Sequence, residues 1–112
     1  MRVIQITLGG EPTPDDVVCV SYAAKRGGMT TAGHHVLKGE TLAAIAADLA
    51  SGINTHWCQP IFAARAKENV ITVQCTDLAD DMTFSAYVEH IVGGLQAVRA
   101  PGGTETVEIT ED

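Results

Sequence analysis

Gly39-Glu40-Thr41-Leu42-Ala43-Ala44-Ile45-Ala46-Ala47-Asp48-Leu49-Ala50-Ser51-Gly52-Ile53-Asn54 is the stretch on which the fold turns. Leu42, Ile45, Ala46, Leu49 and Ile53 recur at steps of three and four, so a helix would gather them into one apolar stripe. Gly39 breaks whatever precedes, Thr41 can accept from a first-turn amide, and Glu40 stands where the helix dipole favours negative charge. Ala43, Ala44, Ala47 and Ala50 add helix propensity and let another element approach closely. Gly52 costs about 1 kcal/mol relative to Ala, which predicts fraying near Asn54.

On either side of this helix the period changes to two. Ile4, Ile6 and Leu8 alternate loosely with Arg2, Gln5 and Thr7, as in a strand near a sheet edge. The turn-rich Gly9-Gly10-Glu11-Pro12-Thr13-Pro14-Asp15-Asp16 leads into β-branched Val17-Val18-Cys19-Val20-Ser21-Tyr22, a more buried strand. Thr30 to Leu37 should return beside it after Gly27-Gly28. Trp57 to Ala66 contains Pro60 and reads as loop with a short strand. Ile71, Val73 and Cys75 alternate with Thr72, Gln74 and Thr76, and Met82, Phe84, Ala86 and Val88 with Thr83, Ser85, Tyr87 and Glu89. Two adjacent antiparallel strands are the simplest reading of these segments. Gly93-Gly94 and Pro101-Gly102-Gly103 punctuate the rest, and Thr104 to Thr110 forms a terminal strand with Val107 and Ile109 inward.

The expected fold class is therefore α+β, an antiparallel sheet packed by one face against one principal helix. Its core would set Val18, Val20, Ile71, Val73 and Phe84 against Leu42, Ile45, Leu49 and Ile53. Each full side chain so buried contributes roughly 1.5–3 kcal/mol before entropy is counted. The 112 residues fit a single structural domain spanning 1–112. Hydrophobic residues make up 46% but aromatics only 4%, so aliphatic side chains must build most of the core.

Several function classes are disfavoured. The net charge is −7 and the seven Lys and Arg are scattered, which opposes nucleic-acid binding. Leu42 to Ile53 is too short and too interrupted to cross a bilayer, so no membrane partner is expected. The opening residues lack a signal peptide's apolar run, which leads to the expectation of cytoplasmic synthesis without export. Cys19, Cys58 and Cys75 lack Cys-x-x-Cys spacing and read as buried thiols, with Cys58, in a loop, able to pair with another subunit. His34 and His35 would point to opposite faces of a strand and cannot readily chelate one ion, while His56 and His90 are isolated. Asp77, Asp80 and Asp81 lack the further ligands of an EF-hand. The glycine pairs do not open a helix, and no nucleophile sits in an activating motif. No metal, cofactor or catalytic residue is expected, and the reading is of a non-enzymatic protein.

The segment His35-Val36-Leu37-Lys38-Gly39-Glu40-Thr41-Leu42-Ala43-Ala44-Ile45-Ala46 resembles the opening of the lysin-motif glycan-binding module. It also resembles a repeated domain of bacteriophage virion and tail-associated proteins. That second similarity takes in Leu8-Gly9-Gly10-Glu11-Pro12-Thr13-Pro14-Asp15-Asp16-Val17-Val18, the helix end Ala50-Ser51-Gly52-Ile53-Asn54 and Asn69-Val70-Ile71-Thr72-Val73, in the same order across most of the chain. A lysin motif is about half as long, with a second helix soon after the first. The three cysteines, Trp57 and Lys25-Arg26 depart from the phage pattern. The phage resemblance implies a virion structural protein of the tail, neck or capsid surface, present in many copies and partnered by itself and other virion proteins. The lysin-motif resemblance implies instead a peptidoglycan-binding module, with Lys38-Gly39-Glu40-Thr41 lining a shallow groove. A strand at a sheet edge can join a neighbour, and Thr104, Thr106, Val107, Glu108, Ile109 and Thr110 form the preferred interface candidate.

Overall fold

The computed structural model describes residues 2–25, 27–57, 61–92, 96–98 and 106–111. Its elements are β1 (Arg2–Gly9), β2 (Asp16–Ala23), β3 (Met29–His35), α1 (Leu42–His56), β4 (Phe62–Lys67), β5 (Val70–Cys75), β6 (Thr83–Val92), β7 (Gln96–Val98) and β8 (Thr106–Glu111). The fold is α+β, with two antiparallel four-stranded sheets and one main helix. The first sheet runs β4-β5-β1-β8 and the second β3-β2-β6-β7.

Helix α1 follows its stripe closely. Ile45, Ala46, Leu49, Ala50 and Ile53 are buried, and Leu42 packs at the margin of the core. Thr41 caps the helix, its Oγ1 accepting from the Ala44 amide at 3.1 Å. The turn before it needs Gly39, whose φ of +82° a Cβ would strain. The expected fraying at Asn54 does not occur, and the helix runs on to His56. Trp57 N–H closes the last turn on Ile53 O at 3.0 Å, and the Asn54 side chain is anchored to β4. Val18, Val20, Ile71 and Val73 are buried as expected, and Phe84 is partly buried against them.

Three sheet assignments need correction. The strands β5 and β6 are not neighbours: β5 lies between β4 and β1, and β6 pairs with β2. A 3-10 turn at Asp77–Ala79 stands between them, and it carries the chain from one sheet to the other instead of reversing it as a hairpin. Secondly, β1 is central, held by β5 on one side and β8 on the other. Thirdly, the short strand expected within Trp57 to Ala66 is longer than read: it runs from Phe62 to Lys67, a length that Ala63, Ala64 and Ala66 did not advertise. It is defined by its hairpin with β5, turning at Glu68-Asn69, where Glu68 has φ +54°. The expected β2–β3 pairing is present. The segments Cys58 to Pro60, Gly93-Gly94 and Pro101 to Gly103 lie outside the described residues.

Helix α1 contacts β3 of one sheet and β4 of the other, bridging their edges, while β6 and β8 lie side by side on the opposite flank. The sheets and helix thus enclose one core. Four of the scarce aromatics, Tyr22, Trp57, Phe62 and Phe84, collect at one end of it, with centroid separations of 4.7 to 6.2 Å. Most of these rings meet edge to face or tilted, the geometry that ring quadrupoles favour.

Candidate assembly surface

The strand β8 alternates as its sequence suggests. Val107 and Ile109 turn inward and pack against the core, whereas Thr106, Glu108 and Thr110 are exposed. The candidate interface residues therefore fall into two sets. Of these candidates, Thr106, Glu108 and Thr110 are exposed among the described residues; Thr104 lies outside them. Close approach of β8 to β1 depends on Gly9, because a Cβ there would come within 2.8 Å of Thr106 Oγ1.

The exposed side chains of β8 belong to the outer face of the first sheet. Register places Glu108 in one row with Thr7, Val70 and Lys67, and Thr110 in the next with Gln5, Thr72 and Arg65. Lys67, Arg65 and Gln74 are exposed, and Thr72 is half-buried. At the β4–β5 side the face forms a shallow hollow of about 360 Å³ lined by Ala63, Ala64, Arg65, Lys67, Thr72 and Gln74. The face is polar, basic along β4 and acidic at Glu108.

The two edges of this sheet are not alike. Along β4 the Asn54 carboxamide mimics a peptide unit: Oδ1 accepts from Ala64 N–H at 2.8 Å and Nδ2 donates to Ala64 O at 2.9 Å. A helix side chain thus occupies part of the outward backbone of an edge strand. At the other edge β8 runs beside β6 without a ladder.

At the end of the core where the aromatic rings collect, Arg2 ties the first sheet to the crossover into the second. In sequence it stands in phase with Ile4, Ile6 and Leu8, and so it points to the inner side, not with Gln5 and Thr7. Its Nε and Nη2 donate to Glu111 at 2.8 and 2.7 Å, and Nη1 donates to Ala79 O at 2.6 Å and Met82 O at 2.9 Å. The guanidinium also lies 5.1 Å from the Phe84 ring centroid. Hydrogen bonding to Glu111 raises the Arg2 pKa, and the same bond holds the Glu111 carboxyl below its ordinary value.

The other end carries histidine–carboxylate pairs that no local motif announces. His34 lies between two acids, Nδ1 against Asp48 Oδ2 at 2.5 Å and Nε2 against Glu40 Oε1 at 2.7 Å. Glu40 also accepts from Leu37 N–H at 2.7 Å, so its role is to fasten β3 and the following turn rather than to sit in the first helical turn. Burial opposes charge on His34, but the bonds to Asp48 and Glu40 outweigh it and raise the pKa. Burial likewise opposes charge on Glu40, yet His34 and the Leu37 amide hold its carboxyl below the ordinary value. When protonated, the His34 ring donates from both nitrogens to carboxylates, and in that state it has no lone pair for taking a nucleophile's proton or for binding a metal. His35 turns to the other face and meets Asp15 at 3.1 Å, while His90 meets the fully buried Asp16 opposite it in register.

Among the described residues no three His, Cys, Asp or Glu side chains gather as a metal site would need, Asp77, Asp80 and Asp81 included. Cys19 and Cys75 are buried, and Cys58 lies outside the described residues. Among the same residues no helix is long and apolar enough to cross a membrane. Comparison with family models, curated proteins and solved structures finds no match.

Proposed function

We propose that this chain is a non-enzymatic structural component of a bacteriophage virion, of the tail, neck or capsid surface, acting through contacts with copies of itself and with other virion proteins. The observation that carries the reading is the outer face of the first sheet. It is a four-stranded, polar platform presenting Thr106, Glu108 and Thr110 beside Arg65 and Lys67. A rigid sheet with an exposed, charged face suits a building block that meets neighbours without reacting with them. The ordered resemblance of the turn at Gly9 to Asp16, the helix and the strand at Asn69 to Val73 supplies the phage setting. Synthesis in the host cytoplasm and incorporation into the virion follow from that setting.

The lysin-motif alternative places a glycan on Lys38 to Thr41. In this fold Glu40 is turned onto His34 and the Leu37 amide, and Thr41 caps α1, so both polar side chains already have intramolecular partners. That favours the structural reading. Light scattering over a concentration series, alone and with head and tail proteins from the same source, tests it beside a peptidoglycan pull-down. Self-association or capture of a virion protein is expected. A strictly monomeric chain that ignores those proteins and is retained on peptidoglycan would overturn the proposal.

A further inference from the structure

The outer face of the first sheet carries opposite charges at its two sides and in one row, Lys67 on β4 and Glu108 on β8, separated by Val70 and Thr7. Rotation by half a turn about an axis parallel to the strands, lying against this face, exchanges the two sides while keeping every residue at its height along the strand. A second copy so placed sets its Glu108 over Lys67 of the first and its Lys67 over Glu108 of the first. Sheets stacked face to face lie about 10 Å apart, a gap that long Lys and Glu side chains can span from both sides. We infer that this face is an isologous dimer contact, in which Glu108 and Thr110 of β8 in one copy settle over Lys67 and Arg65 at the hollow of the other.

Edge-to-edge pairing is a poorer use of the same charges. The Ala64 peptide groups of β4 are already bonded to Asn54, and β8 has β6 along its flank. The face remains open where the edges are obstructed. At the height of Thr110 the hollow of about 360 Å³ offers Thr72, which stands in the same row, as a hydrogen-bonding partner. The contact is self-complementary, as a two-fold interface must be, and it closes at two copies. It rests on the assembly reading above, to which it adds the partner surface and the symmetry.

Charge reversal tests it in two single variants, their mixture and the double variant. Lys67→Glu and Glu108→Lys each put like charges opposite one another twice per dimer, and each alone should weaken association at least tenfold in sedimentation equilibrium at low salt. Mixing the two variants should restore it, because one mixed dimer has a native pair at one site and a reversed pair at the other. The double variant should also self-associate, to a limiting mass of two chains. Both residues are exposed, and unchanged circular dichroism would verify the fold. Association that survives either reversal, or single variants that stay apart when mixed, would overturn this contact while leaving assembly through another surface intact. Wild-type protein that is monomeric at every concentration would overturn the dimer, and binding to other virion proteins would then decide the broader proposal by itself.

Discussion

His34 ties β3 to α1 through Asp48 and to the turn before the helix through Glu40, and its charge makes the clamp sensitive to pH. Its folded pKa is raised above the ordinary 6.5, so its stabilising contribution is complete below that value and is lost as pH rises through the folded pKa. Glu40 has the opposite sign: its folded pKa lies below 4.5, so its contribution is present above that value and disappears as pH falls through the folded pKa. Wild-type stability relative to a His34→Gln variant should therefore be greatest in mildly acidic solution and shrink above pH 6.5, read by urea unfolding across a pH series. A constant difference from pH 5 to 9 would show that the ring is not charged in the fold. Nothing local announced this group, because His34 stands six residues from Glu40 and fourteen from Asp48. The buried thiols were easier to read. Cys75 lies in the inward phase of its strand, and burial raises its pKa. Brief alkylation of native protein followed by mass spectrometry should leave Cys19 and Cys75 largely unmodified, with full labelling only in denaturant.

Among the elements, α1 places Ile45, Ala46, Leu49, Ala50 and Ile53 in the core, and Leu49 sits in the middle of them at 1% exposure. Leu49→Ala should cost about 2–5 kcal/mol in urea unfolding, since the enclosing sheets can collapse only partly into the space. The helix also guards β4. Asn54→Ala would release the Ala64 N–H and C=O, costing about 1–2 kcal/mol for the pair of hydrogen bonds. It should also raise aggregation on agitation, measured by thioflavin fluorescence, as an edge strand loses its cover. Helix α1 was legible because Leu42, Ile45, Leu49 and Ile53 obey a period that only a helix satisfies. The strands Val70 to Cys75 and Thr83 to Val92 were legible as strands but not as members of different sheets, since a period of two records which face is buried and not which neighbour is paired. Strand β4 was legible only as a short strand, its full length masked by its alanines and by the nearby Pro60. The exposed Thr106, Glu108 and Thr110 could be read from phase, whereas Lys67 opposite them could not, because the row that joins it to Glu108 passes through three strand pairings.

At the scale of the whole molecule, Arg2 ties the first sheet to the crossover that leads into the second. Arg2→Leu keeps the bulk but leaves the carbonyls of Ala79 and Met82 without their charged donor, and should cost about 2–3 kcal/mol. Amide hydrogen exchange in residues 79–84 should quicken more than in α1; equal acceleration everywhere would mean that the crossover is held by something else. The same bidentate bond places the two ends of the described chain side by side, Arg2 on β1 and Glu111 on the neighbouring β8. Ile4 stands opposite Glu111, so β1 enters and β8 leaves at the same end of their ladder. Tension applied through these two residues would therefore load that ladder like a zipper, one rung after another from Ile4 toward Gly9, instead of shearing all its rungs together. Mechanical resistance would then be low along this direction however high the equilibrium stability, and whatever bears force through this domain would have to grip it elsewhere than by its two ends.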